Sequence, residues 1–117
     1  MNMYHCMIEL RSGAKALSFA AAAEDWLNGL KQRQLIENWR LHRRKFGLAS
    51  GRHSDFILEI EVLGMSQLDQ AFLTLGKSVD DDDEQRYIRF HDMIETADIG
   101  LYRPYPDPDQ RERIALI

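Results

Sequence analysis

The strongest constraint on this chain is the way its apolar residues change period, from alternation to a helical stripe and back to alternation twice before helical spacing returns. In residues 4–10, Tyr4, Cys6, Ile8 and Leu10 fall on one side and His5, Met7 and Glu9 on the other, as in a strand with one buried face. Beyond Ser12-Gly13, the residues Ala16, Phe19, Ala20, Ala23, Trp26, Leu27 and Leu30 recur every three or four positions. This spacing predicts an amphipathic helix that fades after Lys31-Gln32-Arg33. Residues 36–46 set Trp39 and Leu41 against Arg40, His42 and Arg44, and residues 55–63 set Phe56, Leu58, Ile60 and Val62 against Ile57, Glu59 and Glu61. The glycines and polar residues of 47–54 join these two strands as a hairpin.

Gly64 closes the third strand. Ser66 and Asp69 read as a capping box for a helix with Leu68, Ala71, Phe72 and Leu75 on one face, stopped by Gly76. The acidic run 80–84 suits the positive end of a third, shorter helix presenting Tyr87, Ile88, His91 and Ile94. A short last strand over 99–102 is halted by Pro104, Pro106 and Pro108. Strand, helix, strand, strand, helices, strand is the ferredoxin-like α+β order, βαββαβ, with an antiparallel sheet of order 4-1-3-2 and helices on one face. One domain over 1–104 is expected, followed by an extended arm, 105–117. Its prolines stiffen the arm, and Ile114, Leu116 and Ile117 should dock on the outer sheet edge or a second subunit.

With the strand Tyr4-His5-Cys6-Met7-Ile8-Glu9-Leu10, the long first helix and the late strand Ile99-Gly100-Leu101-Tyr102-Arg103-Pro104, the chain resembles the dimeric α+β-barrel superfamily over residues 3–104. That group holds stress-responsive barrel proteins, cofactor-independent monooxygenases of the antibiotic-biosynthesis type, and many bacterial proteins of unknown function. The resemblance implies two copies pressing their open sheet faces together, and a bacterial family of unknown function. No catalytic set of the group maps onto this chain.

A formal charge of −4 and a pI of about 5.5 set the whole molecule against phosphate backbones and anionic lipid, so neither nucleic acid nor membrane is an expected partner. Cys6 is the one cysteine, which rules out an intramolecular disulfide and a cysteine-based zinc site and fits a reducing compartment. The N-terminus has no leader pattern, and the weakly polar stretch 14–23 is about half a membrane span. A cytoplasmic protein is expected, and no cofactor is implied.

The sheet face away from the helices should carry His5, Met7, Glu9, Arg40, His42, Arg44, Ile57, Glu59 and Glu61. One reading is a ladder of cross-strand ion pairs on an exposed or dimer-buried face; the other is a polar pocket inside a barrel. His5 and His42 are the candidates for proton transfer, with Trp39, Tyr102, Met7, Arg40 and Glu59 as ligand-binding residues. Trp39 and Tyr102 lie on the two edge strands, where an aromatic can wall a cavity or cover a dimer seam. His53 and His91 complete the histidines; His91 and Glu95, one helical turn apart, are a weak metal pair without H-E-x-x-H. The loop 47–54 lacks phosphate-loop spacing, the aspartates 80–83 lack the calcium-loop pattern, and Cys6 reads as an inert buried thiol. The chain thus reads as a homodimeric, small-ligand-binding or non-catalytic α+β-barrel protein. The alternative is a cofactor-independent monooxygenase- or isomerase-like enzyme acting on a hydrophobic small molecule, with His5, His42, Trp39 and Tyr102 around it. A second alternative is a protein-interaction module drawing on the acidic run and the proline-rich arm.

Overall fold

The computed structural model describes residues 2–45, 54–73 and 82–106, without the side chain of residue 83. The hairpin loop 46–53 with His53, the start of the acidic run, and the arm 107–117 with its expected docking lie outside the described residues. Strands β1 (Asn2–Leu10), β2 (Asn38–Arg43), β3 (Phe56–Val62) and β4 (Ile94–Tyr102) and helices α1 (Ala16–Gln32), α2 (Met65–Leu73) and α3 (Asp82–His91) follow in the order β1-α1-β2-β3-α2-α3-β4. The sheet runs β2-β3-β1-β4, every pair antiparallel, which is the 4-1-3-2 order of a ferredoxin-like α+β fold. None of the helices among the described residues is long and apolar enough to cross a membrane.

Alternation decides the faces. Ile8, Phe56, Leu58, Ile60 and Val62 are buried under the helices, and the α1 stripe Phe19, Ala23, Trp26, Leu27 and Leu30 packs onto them. Phe19 is the hub, with ring centroids 4.9 Å from Phe56 and 5.2 Å from Phe90. Trp26 continues the stack to Phe90 at 4.9 Å and Tyr87 at 5.0 Å. Each such side chain contributes roughly 1.5–3 kcal/mol by leaving water, so this aromatic column fixes how α1 and α3 sit on the sheet. Helix α1 ends in a Schellman motif: Gln34 takes a φ of 62°, its N–H donates to the Lys31 carbonyl, and the Leu35 N–H donates to the Leu30 carbonyl.

Three expectations need correction. The last strand is not confined to 99–102 but begins at Ile94, and that residue opens β4 instead of extending the face of α3. Ile88, His91 and Ile94 do have helical spacing, but β1 offers a whole unpaired edge, and pairing from Met3↔Tyr102 to Leu10↔Ile94 satisfies it. His91 therefore ends a helix while Glu95 sits on a strand, and the spacing that would have made them a metal pair is lost. Helix α2 starts at Met65, and the Gln67 Oε1, not Ser66, reaches back to accept the Leu63 N–H at 2.6 Å.

Candidate functional site

The face away from the helices gathers most of the residues singled out above. Register places His5 opposite Glu59 on one side and Gly100 on the other, Arg40 opposite Glu59, and Met7 between Ile57 and Asp98. Arg40 bridges two carboxylates, with its Nε 3.5 Å from the Glu59 Oε2 and an Nη donating to Glu61. The His42 Nε2 lies 3.6 Å from the same Glu59 oxygen. At the far edge the Tyr102 ring meets His5 edge-on, centroids 5.6 Å apart. The Arg44 guanidinium pairs with Asp55 at 3.7 Å. Since the Arg40 side chain is 55% exposed, its ion pairs contribute only about 0–1 kcal/mol in a lone subunit. They position charge more than they stabilise.

Trp39 is on the other side of the sheet. It pairs with Ile60, packs against the core, and donates from Nε1 to the Asn28 Oδ1 at 2.9 Å. The sheet thus separates it from His5, His42 and Tyr102, which share one face. Among the described residues no group of three His, Cys, Asp or Glu is placed to hold a metal ion.

A second site lies on the helix side. Helices α1 and α3 cover β1, β3 and the first residue of β4, then stop short of the rest of that strand. Ile99 stays 61% exposed although its register partner Cys6 is buried. The gap is an apolar cavity of about 130 Å³ walled by Tyr4, Cys6, Trp26, Phe72, Tyr87 and Ile99, with Phe90, His91 and Ala97 also lining it. Burial, together with the Asp98 charge, pushes the Cys6 thiol up to about 11; burial, then Cys6 and Tyr87, push Tyr4 up to about 12. Burial also raises Tyr87. These groups stay protonated at neutral pH. The Trp26 Nε1 is buried without a hydrogen-bond partner, the one such side-chain atom among the described residues.

The unfolded chain would release the Cys6 and Tyr4 protons from 9.0 and 10.0 upward, before the native state does. Their contribution to stability should therefore be level below about pH 9 and fall from there towards about pH 12. Urea midpoints measured across that range test this, and a midpoint that rises above pH 9 would contradict it. Native Cys6 should also react with iodoacetamide far more slowly at pH 8 than in the urea-unfolded chain.

Sequence reasoning missed this cavity. The available signals were a small residue, Cys6, between Tyr4 and Ile8, and an apolar series Ala97, Ile99, Leu101 that runs along β4 beyond the reach of α3.

Among solved structures, a protein from Arabidopsis thaliana superposes with a TM-score of 0.66 at 8% identity, covering 89% of this chain and 95% of that one. A structure described as an antibiotic biosynthesis monooxygenase gives 0.60 at 9% identity, covering 89% and 98%. A dimeric protein of unknown function and ferredoxin-like fold from Bacteroides fragilis gives 0.57 at 8% identity, covering 86% and 93%. At such identities the likeness establishes the fold alone. No curated protein matches the chain. The model of a family described as "Family of unknown function (DUF6614)" matches residues 1–117, and the chain belongs to that family.

Proposed function

We propose that this member of a family without an established function is a homodimeric binding protein, each subunit holding the apolar part of a small molecule between helices and sheet. The observation that carries this is the 130 Å³ cavity with Tyr4, Cys6 and Trp26 in its wall. Ligand pockets usually measure about 300–1,000 Å³, whereas a cavity near 150 Å³ accepts benzene. The buried part of the ligand is therefore the size of one aromatic ring or a short alkyl chain, and the remainder leaves past Phe72 and Ile99. Tyr4, Cys6 and Tyr87, all held neutral, suit hydrogen bonding to a ligand better than proton exchange near pH 7.

The open sheet face is assigned to the second subunit. Met7 is 40% exposed there beside the half-buried Ile57, a combination that gains from being covered. The Bacteroides fragilis protein of the same fold is described as dimeric, in keeping with this reading. His5, Met7, Arg40, His42, Glu59 and Tyr102 would then line the seam. A reducing cytoplasm fits the free, buried Cys6.

Ala97 lines the cavity from an exposed position, so Ala97→Trp can fill its mouth without overpacking the core. A ring-sized apolar probe, such as toluene or anisole, should raise the melting temperature of the native chain and quench or shift the Trp26 emission. Both effects should shrink at least tenfold in apparent affinity in Ala97→Trp, taking about 1.4 kcal/mol as the loss of a few apolar contacts. Equal binding by the two proteins would defeat the reading.

A further inference from the structure

A cleft of about 560 Å³ opens where β1 leaves the sheet and α1 begins. Its wall includes Arg11, Arg43, Arg44, Ala14 and Ala16, with Asp55 as the one carboxylate among the described residues that line it. We propose that this cleft binds a phosphate group carried by a small molecule, the guanidinium groups of Arg11 and Arg43 being its ligands beside the Arg44–Asp55 pair.

Each arginine is held differently. The Arg11 Nε donates to the Ile94 carbonyl at 3.0 Å, which fixes the guanidinium plane and leaves its terminal nitrogens without a partner among the described residues. Arg44 is tied to Asp55, whose other oxygen accepts the Leu10 N–H at 3.0 Å, so that carboxylate is already committed twice. Arg43, on the last position of β2, has no partner among the described residues. With Arg44 paired to Asp55, the two guanidinium groups of Arg11 and Arg43 remain to meet the charge of a phosphate monoester, in a chain whose net charge is −4.

The surroundings add to this positive charge. Helix α1 starts with Lys15 at its N-cap, makes no side-chain cap, and has no acid in its first turn. Its positive end therefore faces the same cations, an arrangement that repels itself while empty. Exposed arginines are commonly just solvated. Here two of the three are anchored by backbone and carboxylate, so little side-chain freedom remains to be lost when a fork-shaped pair of donors meets an oxyanion.

Thermal melts and ¹H–¹⁵N spectra of the full chain in inorganic phosphate, acetate and sodium chloride at matched ionic strength test the proposal. Phosphate should raise the melting temperature beyond the other two salts and shift the Arg11 Nε and Leu17 amide signals saturably. Arg43→Gln, an exposed change, should weaken phosphate about tenfold, the loss of one charge-assisted hydrogen bond, and leave the melt in chloride unlowered. Lys15→Asp should raise the melt in chloride by supplying the missing cap, and remove most of the response to phosphate. A phosphate response no larger than that to acetate or chloride, or one equal in Arg43→Gln, would overturn the proposal. Because none of these residues lines the apolar cavity, failure here leaves the reading of that cavity untouched.

Discussion

Ile57→Lys should break the proposed dimer into single folded subunits. Ile57 sits mid-sheet on the open face, between Met7 and His42 in register and two residues from Glu59. In one subunit a lysine there can lay its stem along the sheet and keep its ammonium in water, so the fold should survive. Against a second sheet the ammonium would lose its water without a dedicated partner, at a cost of about 3–5 kcal/mol. A cost at the low end already raises a dissociation constant more than a hundredfold. Sedimentation velocity at tens of micromolar should therefore show a dimer for the native chain and a monomer for the variant, with matching far-ultraviolet circular dichroism. A native chain that sediments as a monomer, or a variant that dimerises as tightly as the native chain, would remove the open face as the seam.

What the sequence makes readable follows from where local pattern and tertiary demand agree. Strands β1 and β3 lie centrally, each with one face under helices, so burial writes its period of two directly into Cys6, Ile8, Phe56, Leu58, Ile60 and Val62. Helix α1 is equally plain because one stripe meets one sheet face. The edge strand β4 is different: Glu95, Ala97 and Asp98 are poor strand formers, and neither side of its middle is buried, so no selection for alternation marks it. Its strand state comes from the free edge of β1. The same incomplete cover makes the cavity, and that is why residues of the open face could be gathered by alternation while the helix-side pocket could not. Trp39 shows the limit of edge-strand reasoning: alternation sets it opposite Arg40 and His42, and the pairing with Ile60 and the bond to Asn28 hold it on the helix side, away from the open-face residues grouped with it as a ligand site. The arginine cleft joins the ends of β1, β2 and β3 to the start of α1, bringing together three separate stretches of chain between Leu10 and Phe56.

Phe90→Ala should join the stability of the fold to the size of its ligand. Phe90 is 5% exposed, stacks on both Phe19 and Trp26, and lines the cavity. Truncation removes the middle of the aromatic column, at an expected cost of about 3–5 kcal/mol, a large share of the roughly 5–15 kcal/mol that holds a domain together. The urea midpoint should drop accordingly, while Phe90→Leu should lose only part of this and provides a safely folded comparison. The vacated volume adjoins the existing cavity, so the two should merge into a space that admits a substituted ring where the native protein admits a bare one. Naphthalene-sized probes should then stabilise Phe90→Ala more than toluene does, the reverse of the order in the native chain, because filling the void restores the lost dispersion contacts. A variant that loses stability but keeps the native order of probe sizes would place the ligand elsewhere than beside Phe90, whereas an unchanged urea midpoint would contradict the packing of α3 on α1 itself.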